Sequence, residues 1–107
     1  MESFTLTYKQ TKSIVIYVRH KATMNNIVFG FRLIGNTFNI DLGYNNVFIV
    51  LKFSKKFTYH IKYIKYFNYN IDEEDYFVEE YTFNNINEIY DFIDDVFDSI
   101  LPPLFFH

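Results

Sequence analysis

The chain has 107 residues, a formal net charge of −3, no Cys, and 22% aromatic residues. That length makes one domain, residues 1–107, able to bury a core without disulfides or metals. The missing thiols exclude a disulfide scaffold, thiolate zinc sites and cysteine nucleophiles, and agree with a reducing cytoplasm, where the chain is expected to reside.

No uninterrupted apolar stretch exceeds the five residues Val47 to Leu51, far short of the roughly 20 needed to span a bilayer as a helix. Met1 to Thr7 has no basic patch followed by an apolar run, so neither a signal peptide nor a membrane association is expected. Phe, Ile, Asn, Tyr and Lys dominate the composition, whereas Ala, Gly, Pro and Arg are scarce. These are products of AT-rich codons, expected of an AT-rich host or of a mobile gene. Many aromatic residues and a single Ala favour strands, because such side chains lose rotamer freedom in a helix and pack well on a pleated face.

Along the chain, Ile14, Ile16 and Val18 alternate with Val15, Tyr17 and Arg19 and predict a first strand, followed by a polar break from Lys21 to Asn26. Residues Ile27 to Ile34 form the next strand, and Gly35-Asn36 is a two-residue turn able to hold positive φ. Phe38, Ile40, Leu42 and Tyr44 then share one face, with Thr37, Asn39, Asp41 and Gly43 on the other. Asn45-Asn46 is a second tight turn. Val47 to Phe53 is apolar on both faces, which predicts a central strand covered at least partly on both sides. Alternation continues through Phe57, Tyr59, Ile61 and Tyr63, is interrupted by Asn68 to Asp75, and resumes in a short strand over Tyr76 to Phe83.

The period changes after Asn84. Ile86, Ile89, Tyr90, Ile93, Val96, Phe97, Ile100 and Leu101 form one stripe of a 3.6-residue helix, capped by Asn84 or Asn85 and ended by Pro102-Pro103. The predicted fold is α+β: about six or seven mostly antiparallel strands with one C-terminal amphipathic helix packed on one face.

Charge is sorted along this framework. All ten bases lie between Lys9 and Lys65, and eleven of the thirteen acids lie between Asp72 and Asp98. With the apolar stripe facing the sheet, Glu88, Asp91, Asp94, Asp95 and Asp98 are expected to project to solvent. Their like-charge neighbours three and four residues apart cost on the order of 1–2.5 kcal/mol, and the helix dipole disfavours acids in the C-terminal half. Stability alone would not select that pattern. Asp72, Glu73, Glu74, Asp75, Glu79 and Glu80 extend the same sign. An acidic surface of this kind attracts a basic partner and can fill a groove meant for phosphates, so the expected function is non-catalytic inhibition of a basic toxin or nuclease. No cofactor is implied.

A small, Cys-free, strand-rich chain that closes on an acidic amphipathic helix, Asn-Asn-Ile-Asn-Glu-Ile-Tyr-Asp-Phe-Ile-Asp-Asp-Val-Phe-Asp-Ser-Ile-Leu, resembles the bacterial immunity proteins that neutralise contact-dependent growth-inhibition toxins. Phage-borne nuclease inhibitors are similar in the same way. The resemblance lies in general character, carries no signature motif, and implies a cytoplasmic, partner-specific binder without catalysis.

A rival reading uses the basic and aromatic stretch Lys55 to Phe67. Lys52, Lys55, Lys56, Lys62 and Lys65 with Tyr66 could bind phosphates and stack bases, provided that they lie on an uncovered sheet face. Opposing it, the chain is net acidic and has no recognised nucleic-acid-binding motif.

For catalysis, His20 and His60 with Lys62 are the candidate acid–base set for RNA cleavage. No glycine-rich phosphate loop or serine elbow accompanies them. Asp72 to Asp75 lacks the alternating ligands and turn glycine of a calcium loop and reads as a solvated bend. The apolar tail Leu104-Phe105-Phe106-His107 is expected to fold back on the core or to anchor a partner, and a homodimer through a sheet edge is a further expectation.

Overall fold

The computed structural model describes residues 6–35, 37–44, 47–54, 59–66 and 76–100, without the side chains at 47, 62–66, 76 and 77. Two helices flank a five-stranded sheet: α1 (Tyr8–Met24), β1 (Val28–Ile34), β2 (Thr37–Tyr44), β3 (Val47–Ser54), β4 (Tyr59–Tyr66), β5 (Tyr76–Phe83) and α2 (Ile86–Ile100). The strands form an antiparallel meander in the order β1-β2-β3-β4-β5.

The fold class is α+β as predicted, but with five strands in place of six or seven. The difference lies in residues 14–19, which belong to α1 and not to a strand. Thr7 closes a capping box: its hydroxyl accepts from Gln10 N at 3.1 Å, and Gln10 Oε1 accepts from Thr7 N at 2.9 Å. Ile14, Val18 and Ala22, each four residues apart, are fully buried. Burial of that stripe overrides the weak helix propensity of the β-branched run, whose apparent alternation is accidental.

Lys21 to Met24, expected in a polar break, form the last turn of α1. The chain leaves that turn at Asn26, whose φ of 57° is left-handed. Ile27 N then donates to Ala22 O at 2.8 Å and Asn26 N to Thr23 O at 3.4 Å, the paired bonds of a Schellman stop with Asn in the position usually held by Gly.

The register divides the sheet into two faces. Phe38 pairs with Phe53, Ile40 with Leu51, Leu42 with Ile49, and Phe53 with Ile61. All of these are buried, in one cluster with Ile14, Val18 and Ala22 of α1 and Ile89, Ile93, Val96, Phe97 and Ile100 of α2. Both helices therefore cover the same face. Within that layer Phe38 and Phe53 stack with ring centroids 4.5 Å apart.

No described element packs on the other face, which carries Val28, Gly30, Arg32 and Ile34 of β1, Asn39 and Asp41 of β2, Phe48, Val50 and Lys52 of β3, and His60 of β4. The central position of β3 matches expectation; among the described residues the helices cover one of its faces, while on the other Val50 is also buried and Lys52 is exposed. Gly35, at φ 57°, occupies the left-handed region expected of the first hairpin turn. Asn36, Asn45-Asn46, Asn68 to Asp75 and the tail from Leu101 to His107 lie outside the described residues.

Candidate functional site

The acidic surface is best assembled residue by residue. Helix α2 begins at Asn85, whose Oδ1 accepts from Glu88 N at 3.0 Å, while Glu88 Oε2 accepts from Asn84 N at 2.8 Å. These reciprocal bonds resemble a capping box with the return bond displaced by one residue. Glu88 therefore serves the start of its own helix, where a negative charge also favours the dipole.

One flank of α2 meets α1. Tyr17 donates its hydroxyl to Asp94 Oδ1, and Lys21 Nζ lies 2.6 Å from the same oxygen. Lys21 Nζ also sits 5.4 Å from the centroids of the Tyr17 and Phe97 rings, and Tyr17 meets Tyr90 edge-on at 4.9 Å.

The ionisation of the three groups follows from this contact. Burial alone would raise Asp94, but the hydrogen bonds from Lys21 and Tyr17 and the Lys21 charge hold it below the usual carboxylate value. Burial would likewise lower Lys21, yet the hydrogen bond and charge of Asp94, together with Tyr17, leave it raised. Tyr17 is raised chiefly by its hydrogen bond to Asp94 and then by burial. Asp94 is thus partly buried and committed to α1, unlike the fully solvated position expected of it.

The other flank meets β5, where Phe92 packs against Tyr81 and Phe83 at 4.8 and 5.5 Å. Between the flanks, Asp91, Asp95 and Asp98 face outward, exposed and without an ion-pair partner among the described residues. No base occupies the last turn of α2. Three carboxylates lie on one stripe, where they repel one another, and two of them sit in the C-terminal half, where the helix dipole disfavours them.

The other acids described on β5 do not join this stripe. Glu79 and Glu80 are adjacent on a strand and so point to opposite faces. Glu79 accepts from the Tyr81 hydroxyl at 2.5 Å on the helix side. Glu80 lies on the helix-free side with its Oε2 3.7 Å from His60 Nε2. Asp72, Glu73, Glu74 and Asp75 lie outside the described residues.

On the helix-free face, Arg32, Asn39 and Lys52 form one cross-strand row. Asn39 is only 3% exposed, and its Oδ1 has no hydrogen-bond partner among the described residues. Arg32 is paired to Asp41 and Lys52 is exposed. Lys55, Lys56 and Phe57 lie outside the described residues, and of Lys62, Lys65 and Tyr66 only the backbone register is described. His60 shares this face, whereas exposed His20 sits on α1 on the opposite side of the sheet. The candidate acid–base pair is therefore not brought together.

Sequence reasoning missed Tyr17 and Lys21 as partners of the acidic helix. The available signal was the capping box Thr7-Tyr8-Lys9-Gln10 with the spacing Ile14, Val18, Ala22, which would have placed Tyr17 and Lys21 on one flank of a helix. Among the described residues no helix is long and apolar enough to cross a membrane, and no group of three or more His, Asp or Glu is placed to hold a metal ion. Compared with protein-family models, with curated proteins and with solved structures, the chain matches none.

Proposed function

We propose that this protein is a non-catalytic inhibitor of the immunity type, which neutralises a basic toxin or nuclease by docking the outer face of α2 onto it. The observation that carries the reading is the stripe of Asp91, Asp95 and Asp98. The other two acids of the helix have intramolecular tasks, Glu88 in the cap and Asp94 in the bond to α1. These three have none among the described residues, and they repel one another. A basic surface would relieve that repulsion, gain rate from long-range attraction, and be occluded from phosphate substrates.

The test separates binding from folding. Asp91, Asp95 and Asp98 are reversed to Lys while Glu88 and Asp94 are retained, because reversing either would damage the cap or the helix pair. Wild type is expected to capture a basic protein stoichiometrically from lysate of the native organism and to block its toxic or nuclease activity. The reversed variant should bind it on the order of 100-fold more weakly, the cost of several like-charge contacts. Equal affinity of the two forms at low salt would overturn the proposal.

A second reading is favoured by one observation, the helix-free face with Arg32, Lys52 and the Asn39 side-chain carbonyl, which has no partner among the described residues. There the chain would bind single-stranded nucleic acid. Its discriminating result is nucleic acid retained by both forms and lost in Lys52→Glu.

A further inference from the structure

We infer that β1 is a self-pairing edge, through which two copies of this chain join their sheets antiparallel about a twofold axis at Phe31. The inference is independent of the inhibitor reading. Among the described strands β1 pairs only with β2, so one row of its backbone N–H and C=O groups faces away from the sheet. It pairs with β2 one to one from Val28 to Ile34, without a bulge, and contains no Pro. Val28 is 72% exposed, Phe31 42%, Leu33 70% and Ile34 55%.

Edge strands are normally blunted by charges, bulges or Pro. The only charge on β1, Arg32, is folded back onto its own sheet, with Nε 3.2 Å from Asp41 Oδ2 and Nη2 3.2 Å from Asp41 Oδ1. It does not guard the free side. The opposite edge of the described sheet carries two exposed acids in mid-strand, Glu79 beside the Tyr81 hydroxyl and Glu80 beside His60, where β1 carries the single base Arg32.

The sequence of β1 selects the occupant. Antiparallel self-pairing centred on Phe31 sets Phe31 against Phe31, Phe29 against Leu33, Val28 against Ile34, and Gly30 against Arg32. It is the only self-register that uses all of Val28 to Ile34. A twofold at Arg32 would oppose like charges, and one at Gly30 would leave Leu33 and Ile34 without partners. With the Phe31 axis each Arg32 meets a Gly and keeps its own Asp41. Phe29, Phe31 and Leu33 from both copies fall on the helix side, as an isologous interface requires. The result is one continuous ten-stranded sheet.

The test is sedimentation equilibrium of the purified full chain together with cysteine cross-linking, which is clean because the sequence has no Cys. Wild type is expected at twice the monomer mass, and Leu33→Lys at the monomer mass with an unchanged circular dichroism spectrum. On mild oxidation, Phe31→Cys should form a disulfide-linked dimer, since directly opposed residues lie within disulfide reach. Val28→Cys alone should not, whereas Val28→Cys combined with Ile34→Cys should. A wild type that stays monomeric, as it would if the chain's own terminal segment covered the edge, overturns the inference. So does a dimer that is unaffected by Leu33→Lys and does not cross-link through Phe31→Cys.

Discussion

The two helices lie in one layer on one face of the sheet, yet they are charged in opposite senses. Helix α1 carries Lys9, Lys12, Arg19 and Lys21 and no acid, whereas α2 carries Glu88, Asp91, Asp94, Asp95 and Asp98 and no base. The sorting of charge along the sequence thus becomes, in part, a juxtaposition in space. Only one acid of α2 uses it, Asp94 with Lys21. The difference teaches that segregated charge need not mean an external partner residue by residue. The proposed partner is left only the acids that remain after internal pairing, here Asp91, Asp95 and Asp98.

The strongest way to break the comparison is through the core that both helices share. Ile93→Ala and Ile14→Ala, both fully buried, should each destabilise by about 2–5 kcal/mol, measured by urea denaturation. A loss under about 1 kcal/mol for either would mean that its helix is not held by the sheet. Next comes the triple reversal of Asp91, Asp95 and Asp98 to Lys. While weakening partner binding, it should raise the stability of the isolated protein by about 1 kcal/mol, because the 88/91, 91/94 and 94/98 neighbours become opposite in charge, although 91/95 and 95/98 stay alike, and because cations then lie near the helix C-terminus. A lowered melting temperature would show that these acids support the fold.

The caps of the two helices offer a matched pair. Thr7→Ala and Asn85→Ala should each cost about 1 kcal/mol, and a much smaller loss at Thr7 would place the anchoring of α1 in its packing alone. The smallest effect is expected at the helix pair, where Asp94→Asn should cost about 1 kcal/mol or less, since the pair is partly exposed and screened.

The pH dependence at that pair has a definite sign. The carboxyl of Asp94 is held below its unfolded value, so its contribution is present above the usual carboxylate range and fades as pH falls through the folded value. The raised Lys21 and Tyr17 act conversely, contributing below about pH 10 and fading as pH rises through their folded values. Acid titration of wild type against Asp94→Asn, followed by circular dichroism, should show the shallower acid loss in the variant.

Much of the fold was legible in sequence because burial imposes a period on it. Phe38, Ile40 and Leu42 face one way and are buried together. The stripe from Ile86 to Ile100 is helical and lies on the sheet, and Tyr76–Phe83 is a strand with the expected bounds. Helix α1 was hidden because Ile14 to Val18 satisfies a period of two as well as one of four, and β-branched residues tilt the choice towards strand. Of the candidate site, the outward position of Asp91, Asp95 and Asp98 follows from the helical wheel. The use of Asp94 does not, because its partner Tyr17 is 77 residues away and on an element whose type the local pattern concealed. The separation of Glu79 from Glu80 was implicit in the strand, where neighbours take opposite sides.

The meander has a consequence for how the chain reaches this state. Each strand pairs with its neighbour in sequence, α1 packs beside β1, and α2 beside β5, so most of the structure can form by short-range zippering at a small entropy of loop closure. The contact of α1 with α2 joins opposite ends of the described chain. Docking of the helices is therefore the step that carries the long-range closure cost, and the bond from Tyr17 to Asp94 acts as the clasp on a chain otherwise assembled link by link.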